Sequence, residues 1–301
     1  MTSINTNNAA MAALQTLRGI NQGLNTTQNH VSSGYRIAKA SDNAAYWSIA
    51  TTMRSDNKAL GAVSDALGLG AAKVDTAYTA MDSAIDVVGE IKAKIVAATE
   101  NGVDKTKVQE EIDQLQDQLV SIAQSASFSG ENWVAGANGT KSVVSSFVRD
   151  GSNGVSVKMT DYVLSNASNG NVLFGMSGGQ IETSTGILGS SNGTIGSVYS
   201  LDITNMTIGD LGTALSNVEN ALKAMTSAGA KLGSISTRIT MQDDFVNALS
   251  DSLDSGIGRL VDANMEEESS KLSALQTQQQ LAIQSLSIAN SSSQNILSLF
   301  R

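Results

Sequence analysis

Few side chains in this sequence could do chemistry, and none has the spacing of a known reactive site. His30 is the single His and there is no Cys, which removes thiolate nucleophiles, Cys-metal sites and multi-His centres. Glu266, Glu267 and Glu268 are consecutive, but successive helical residues point about 100° apart and do not converge on Ca²⁺ as loop ligands do. The glycines within residues 68–73 lack the spacing of a phosphate-binding loop. We therefore expect no catalytic residue, no cofactor and no metal site.

The composition narrows the class of protein further. The chain has 301 residues, a formal net charge of −9 and no Pro. Net acidity argues against nucleic-acid binding, which needs a basic surface, and the absence of Pro favours long uninterrupted helices. No apolar stretch reaches the eighteen or so residues of a transmembrane helix, and the N-terminus lacks the pattern of a signal peptide. We expect no membrane segment, and either a cytoplasmic protein or export without a cleavable signal.

Heptad spacing of apolar residues predicts the long helices. One 4–3 rhythm runs from Tyr46 to Ala98, with few interruptions, and would span roughly 80 Å as a helix. Asn101-Gly102 predicts its end, and a second stripe from Val108 to Ala126 predicts an antiparallel helical hairpin. A third stripe runs over residues 211–260. A helix as long as the first must lie along another helix or project from the molecule.

The two ends of the chain carry thinner apolar stripes. We expect these to form an assembly seam, whose members are Leu17, Ile20, Leu24, Val31, Leu272, Leu275, Leu286, Ile296 and Phe300. Because isolated helices of this kind are marginal, we expect both arms to become ordered against other copies. A stripe that contacts a different part of the next copy builds an open filament. The alternative is that both arms pack on the central bundle of a monomer.

The middle of the chain is rich in Gly, Ser and Asn and loses the heptad period. Residues 143–149 and 155–159 read as two strands of a hairpin, with weaker strand signals at 162–164, 172–174 and 198–203. Residues 165–197 read as an exposed, loop-rich stretch. The predicted fold class is mainly α, with long antiparallel coiled-coil helices from both halves of the chain and a small β-containing middle module.

Four segments resemble motifs of one protein family. Residues 31–45 resemble the Ser-Ser-Gly-Leu-Arg-Ile…Asp-Asp-Ala-Ala signature of bacterial flagellins, and residues 127–132 resemble that family's Phe-Asn-Gly turn. Residues 259–269 resemble its Arg-x-x-Asp-Ala-Asp-x-x-x-Glu-Ser element, and residues 293–300 resemble its C-terminal ending. The residues of these segments are most similar to those of rhizobial flagellins. The signature residues are Ser33, Gly34, Arg36, Ile37, Asp42, Asn43, Arg259, Asp262, Glu267 and Glu268.

The resemblance implies a secreted, non-catalytic structural subunit that polymerises with other flagellin copies into the extracellular flagellar filament for swimming motility. It implies inner-tube helices over 1–40 and 259–301, the two halves of a helical shell domain over 41–128 and 205–258, and a small outer module over 129–204. The implied partners are the flagellum-specific type III export apparatus, a chaperone, and the hook-junction and cap proteins.

Two other classes of protein stay open at this point. A hook–filament junction protein shares the terminal signatures. A secreted adhesin or enzyme with coiled-coil arms would need reactive or ligand-binding side chains in the middle of the chain.

One departure from the family concerns an innate immune receptor of animals, which recognises an Arg-x-Arg-Glu-Leu-type patch. Residues 90–95 place Glu90 and Ala93 at the first Arg and at the acidic position, so we expect weak or no recognition by that receptor.

Overall fold

The computed structural model describes residues 7–149, 155–191 and 195–298. It is mainly helical, with short antiparallel strand pairs between the two halves, which confirms the predicted fold class. The elements in chain order are α1 (Asn8–Ser33), α2 (Ala44–Ala97), α3 (Lys105–Ser125), β1 (Ser127–Phe128), β2 (Glu131–Asn132), β3 (Gly139–Arg149), β4 (Val155–Leu164), β5 (Gly175–Ser177), β6 (Gln180–Glu182), α4 (Ile208–Val261) and α5 (Met265–Ser298).

The chain forms two compact units. The first contains the residues up to 58 and those from 251 onward, and the second contains residues 59–250. Helices α2 and α4 contribute residues to both units. Helix α4 continues without interruption through Gly256 and Gly258 to Val261. The five-part division of the chain stays a prediction.

In the second unit, α2 and α4 run antiparallel along a continuous apolar seam. Polar contacts at its edges define the direction: Ser64 donates to Asp243 at 2.8 Å, and Lys92 donates to Glu219 at 2.6 Å. Two predicted positions of α4, Leu215 and Leu222, are only partly buried, and Ala214 and Ala221 beside them are buried instead. The remaining predicted heptad residues of this stretch are buried, which confirms its helical period. They are Leu60, Val63, Leu67, Val74, Ala77, Met81, Ala84, Val88, Ile91 and Ile95 on α2, and Leu211, Val218, Met225, Leu232, Ile239 and Val246 on α4.

The heptad prediction is wrong at the start of α2, where Tyr46 and Ile49 are exposed. In the first unit, α2 instead turns Trp47, Ala50 and Met53 toward a small core. Trp47 and Ala50 lie one position after the predicted Tyr46 and Ile49, whereas Met53 keeps its predicted position, so the buried stripe rejoins the heptad at Met53. The small core is formed by contacts with the end of α4, which a pattern within α2 alone does not record.

Helix α3 folds back along α2, as the sequence predicted. Gly102 adopts a positive φ of 92° in the connection. Asp104 then caps α3 by accepting a hydrogen bond from the backbone N–H of Thr106 at 3.1 Å. Lys94 of α2 and Glu111 of α3 form an ion pair between the two helices.

The predicted hairpin is confirmed and is longer than expected, since β3 and β4 pair from Gly139↔Leu164 to Arg149↔Val155. The weak strand signal at 162–164 is therefore the end of β4. The turn between β1 and β2 uses Ser129 and Gly130, with φ of 53° and 79°, as a two-residue turn of the mirror-image type does.

Three expectations for the middle are wrong. Residues 172–174 make only an isolated bridge, Ala135↔Phe174, and residues 198–203 form no strand. Residues 165–197 are not generally exposed, because part of this stretch is buried; the buried apolar residues within it are Val172, Leu173, Phe174, Ile187 and Leu188. The stretch binds its neighbours by irregular backbone hydrogen bonds, such as Leu173 N–H to the Val134 carbonyl at 2.7 Å, which have no sequence period.

Two glutamines of α3 explain why residues 198–203 need no strand partner. Gln109 donates to the Leu201 carbonyl at 3.0 Å and accepts from the Ile203 N–H at 2.9 Å. Gln116 donates to the Val198 carbonyl at 3.0 Å. These side chains satisfy buried backbone groups that would otherwise require a neighbouring strand.

Gly68 and Gly70 give a matched pair of variants that tests how the hairpin is seated on α2. A Cβ at Gly70 would lie 2.7 Å from Val143 Cγ1 and 3.1 Å from its Cβ, whereas a Cβ at Gly68 would meet nothing within 4 Å. We expect Gly70→Ala to lower the free energy of unfolding by roughly 1–3 kcal/mol through overpacking. We expect Gly68→Ala to raise it by about 1 kcal/mol through helix propensity. Urea unfolding of both variants measures the two signs, and equal stabilisation by both would contradict the packing.

Candidate assembly site

Helices α1 and α5 pair in antiparallel fashion within the first unit. Asn7 donates to the Ala289 carbonyl at 2.9 Å, Gln279 donates to Asn21 at 2.6 Å, and His30 Nδ1 lies 3.2 Å from Glu268 Oε1. The contact of Asn7 places the start of the described chain beside the C-terminal part of α5. Apolar packing between them is close at Gly23, where a Cβ would lie 3.6 Å from Leu275.

The proposed seam residues lie on these two helices at intermediate burial. None of the described members reaches the full burial of the α2–α4 seam; those members are Leu17, Ile20, Leu24, Val31, Leu272, Leu275 and Leu286. The side chain of Ile296 and the whole of Phe300 lie outside the described residues. A two-helix contact of this kind covers each apolar stripe from one side only.

Both helices also expose apolar side chains that the seam pattern missed. Leu281 is 59% exposed and Ile288 is 68% exposed, and they are seven residues apart on one stripe of α5. Met11 and Leu14 are exposed on α1. A groove of about 400 Å³ runs beside Ile20 and is lined by Leu281 and Ala282. The seven-residue spacing of Leu281 and Ile288 is visible in the sequence and could have indicated a second apolar stripe on α5. It was missed because only the strongest heptad stripe of each helix was followed.

The two signature segments meet at a single place, which we call the joint: residues 33–43 and 257–268. Gly34 ends α1 in the left-handed conformation, with φ of 74°, and its N–H donates to the His30 carbonyl at 2.8 Å. Its own carbonyl accepts from the Ala263 N–H at 2.9 Å. Ser33 donates its hydroxyl to the Asn29 carbonyl at 2.7 Å. Glycine at this position therefore both terminates α1 and connects it to the far end of the sequence.

Arg36 and Ile37 continue the connection by backbone hydrogen bonds. Their N–H groups donate to the Val261 carbonyl at 2.7 and 3.2 Å, and the Arg36 guanidinium donates to the Leu260 carbonyl at 3.1 Å. The Ile37 side chain is buried beside Ala50, Ile257 and Val261. The joint thus has an apolar centre with backbone bonds across it.

Asp42 and Asn43 close the loop and start α2. Asp42 Oδ2 accepts the N–H groups of Ala38 and Lys39 at 3.0 and 3.1 Å. The backbone N–H of Lys39 is the main reason why the pKa of the Asp42 carboxyl lies below its ordinary value of 3.8. Asn43 Oδ1 accepts from the Tyr46 N–H at 3.2 Å, which is the geometry of a helix N-cap.

The second signature contributes in different ways. Asp262 pairs with Tyr35 in an isolated antiparallel bridge, and Glu268 is buried beside His30. Arg259 and Glu267 are exposed. The sequence reasoning missed the cap of α5, where Asn264 accepts from the Glu266 N–H at 3.2 Å; Asn directly before an acidic turn was the available signal.

Two charged contacts of the joint were also missed. The Arg54 guanidinium lies 5.0 Å from the centre of the Tyr35 ring, within cation–π range. The sequence analysis considered His30 only as the single His of the chain, whereas the structure places it against the buried carboxylate of Glu268. Both contacts join residues that are distant in sequence, so no local pattern indicates them.

The joint and the paired helices offer packing surfaces rather than reactive groups. In the part of the chain that the structure describes, no three His, Cys, Asp or Glu side chains come together as a metal site would require. No described helix is long and apolar enough to cross a membrane. What the site presents is half-covered apolar surface on two helices, held at one end by the joint.

Comparison with known proteins gives matches at both ends of the chain. The model of the bacterial flagellin N-terminal helical region matches residues 4–139, and that of the C-terminal helical region matches residues 215–300. The chain is 53% identical over 322 residues to flagellin C of Rhizobium meliloti (strain 1021), 50% over 395 to flagellin B of Rhizobium meliloti, and 43% over 306 to a flagellin of Brucella melitensis biotype 1. Each alignment covers 100% of both chains.

The role of Asp42 in holding the joint can be tested by hydrogen exchange. In Asp42→Ala we expect the Ala38 and Lys39 amides to exchange several-fold faster, because they lose their acceptor, while the exposed Asp65→Ala on α2 leaves them unchanged. The pKa of Asp42 is lowered, so in the wild type the protection should persist below pH 3.8 and disappear as the pH falls through the lowered value. Unchanged exchange in Asp42→Ala would show that the loop is held by its other contacts.

Proposed function

The chain belongs to the bacterial flagellin family and is a structural subunit of the flagellar filament, and we propose that its copies pack through α1 and α5. The resemblance drawn from the signature residues is thereby confirmed. Membership of the family implies self-polymerisation, a place in the extracellular filament and a structural rather than catalytic role. The proposal concerns which surface makes the contacts.

The observation that carries this proposal is the exposed second stripe of α5. Leu281 and Ile288 are more than half exposed although Leu275 and Leu286, on the side of α5 that meets α1, are half-buried. Burial of apolar surface contributes roughly 25 cal/mol per Å², so a further helix seated on this stripe would stabilise both partners. A stripe that is covered by a different surface of the next copy does not close on itself and extends the assembly.

We assign the remaining parts of the subunit by the same reasoning. Residues 1–40 and 259–301 would form the inner tube, because their helices carry the incompletely covered stripes. Residues 41–128 and 205–258 would form the shell, since the α2–α4 seam is already buried within one chain. Residues 129–204 would form the outer module.

We further propose that the chain is exported unfolded through the flagellum-specific type III apparatus with a chaperone on its C-terminal arm, and that it is added under the cap protein beyond the junction proteins. The composition supports this route. The sequence has no Cys and no Pro, so it forms no disulfide and undergoes no slow prolyl isomerisation before it folds at the tip.

A charge placed on the exposed stripe tests the packing surface. We expect Ile288→Glu to form no filaments when seeded at neutral pH, because the next helix would have to bury a carboxylate. The monomer should keep its circular dichroism, since Ile288 is 68% exposed. Gln280→Glu adds the same charge at another exposed position of α5 and should polymerise normally. Electron microscopy of the seeded samples gives the result, and filaments of Ile288→Glu would refute this packing.

We also propose weak or absent recognition by the innate flagellin receptor. Glu90 is exposed in place of the family's first Arg. The two neighbouring cations are engaged within the subunit, since Lys92 pairs with Glu219 and Lys94 pairs with Glu111. The surface that the receptor would contact therefore carries less net positive charge.

A receptor reporter assay checks this expectation. Wild-type monomer should give little response at nanomolar concentration, and the double variant Glu90→Arg/Ala93→Glu should respond more strongly because it restores the family pattern at two positions. A purified flagellin that carries the complete patch serves as the positive control. Full activation by the wild type at nanomolar concentration would contradict the proposal.

A further inference from the structure

We propose that Asn101 is a site of spontaneous covalent modification, at which the folded protein converts the side-chain amide to a carboxylate. The reacting groups are the Asn101 amide and the backbone nitrogen of Gly102, in the turn between α2 and α3. The inference concerns the chemistry of a single subunit and does not depend on the proposed packing through α1 and α5.

The reaction is an internal attack on the amide followed by hydrolysis. The Gly102 nitrogen, after losing its proton to the solvent, attacks Asn101 Cγ and forms a five-membered imide. The bond between Cγ and Nδ2 breaks, and the amide nitrogen leaves as ammonia. Water then opens the imide at either carbonyl carbon and gives an aspartate or an isoaspartate, whose backbone is longer by one methylene. Water is the only co-reactant, and nothing is oxidised or reduced.

The residue after the Asn decides how easily the ring forms. Glycine favours it, because no Cβ shields the attacking nitrogen and the backbone is free to turn. The sequence has five Asn-Gly pairs, of which the structure describes those that begin at Asn101, Asn138 and Asn169; the pairs at Asn153 and Asn192 lie outside the described residues. All three described Asn residues are exposed, so exposure alone does not rank them.

At Asn101 both reacting groups are unengaged. Neither the Asn101 side chain nor the Gly102 N–H has a hydrogen-bond partner among the described residues. A Cβ added at Gly102 would meet nothing within 4 Å, so there is room for the imide ring. The backbone bond that spans this turn, from the Val103 N–H to the Glu100 carbonyl, is 3.5 Å long and restrains the turn only weakly.

The other two described pairs are held by hydrogen bonds. Asn138 Oδ1 accepts from the Asn166 N–H at 2.8 Å, which fixes the amide that would have to move. In the third pair, the Gly170 N–H donates to the Ala167 carbonyl at 2.8 Å, so the attacking nitrogen is engaged. The backbone there is also crowded, since a Cβ at Gly170 would clash with the Ser165 carbonyl oxygen. Each pair must break a bond before its two groups can react.

Conversion at Asn101 would change the charge of the turn. The C-terminal end of α2 carries the partial negative charge of its last carbonyls, and Glu100 and Asp104 are exposed on either side of Asn101 in the sequence. The new carboxylate is therefore placed among like charges, and isoaspartate also lengthens the connection to α3. Each converted subunit carries one negative charge more than the −9 of the sequence, and the converted fraction rises with the age of the protein.

Peptide mapping by mass spectrometry tests the proposal on the full-length monomer. The protein is kept in mildly alkaline buffer, which favours loss of the N–H proton, and is digested with trypsin at intervals. Cleavage after Lys94 and Lys105 gives a peptide in which Asn101 is the only amide side chain. We expect Asn101 to convert at least roughly fivefold faster than Asn138 and Asn169, a difference of about 1 kcal/mol, since each of those pairs first loses one hydrogen bond.

The same chain unfolded in guanidinium separates the effect of the structure from that of the sequence. Unfolded, the three pairs should convert at similar rates; on folding, the rate at Asn101 should change little, whereas the rates at Asn138 and Asn169 should fall. Equal rates at the three sites of the folded protein would overturn the proposal, and so would a fall at Asn101 as large as that at Asn138.

Asn101→Gln is the matched control, because its longer side chain would have to close a less favourable six-membered ring. The peptide of this variant should keep its mass, while Asn138 and Asn169 convert as in the wild type. A mass gain of that peptide at the wild-type rate would show that the signal does not come from the proposed reaction, and would also overturn the proposal.

Discussion

A long apolar stripe on a helix has to be covered along its whole length, and most of this structure follows from that constraint. Helices α2 and α4 have 54 residues each, and in the second unit they pack against each other along their apolar seam. Small residues keep the contact close, as at Gly229 and Gly233, where a Cβ would lie 3.7 Å from Met81 and 3.6 Å from Tyr78. Polar pairs such as Lys92 and Glu219 occupy the edges, where water screens them and their contribution to stability is small.

The terminal helices satisfy the same constraint incompletely. Their facing side chains are half-buried, and α5 carries a second apolar stripe on exposed positions. What holds them at one end is the joint, in which Gly34, Arg36 and Ile37 are tied to residues 261–263 chiefly by backbone bonds. The signature residues therefore act by shaping the backbone and not by chemical reactivity. They supply one left-handed residue, two carbonyl contacts and one buried Ile.

The sequence predicted the parts of the fold that repeat and missed those that depend on a single distant contact. Heptad spacing over 46–98 anticipated α2 at Ala44–Ala97, because each buried residue repeats the signal of the last. The burial of Phe174 and Leu188 had no such signal, since irregular backbone bonds hold this stretch, such as Leu188 N–H to the Leu173 carbonyl. At the joint, the signature residues were identified from the resemblance, whereas the Asn264 cap and the His30–Glu268 contact required the folded chain. One apolar stripe on each of α1 and α5 was predicted, whereas the second stripe of α5, with Leu281 and Ile288, was not.

Gln109 and Gln116 have a consequence for how flagellins of this kind differ in size. The two side-chain amides form hydrogen bonds with main-chain atoms of residues 198, 201 and 203. These bonds do not depend on which side chains that segment carries. The alignment with flagellin B of Rhizobium meliloti is 94 positions longer than the 301 residues of this chain, and the two family models leave residues 140–214 unmatched. Because these bonds hold the backbone just before α4, the middle of the chain can be lengthened or shortened while the helical part resumes at the same point.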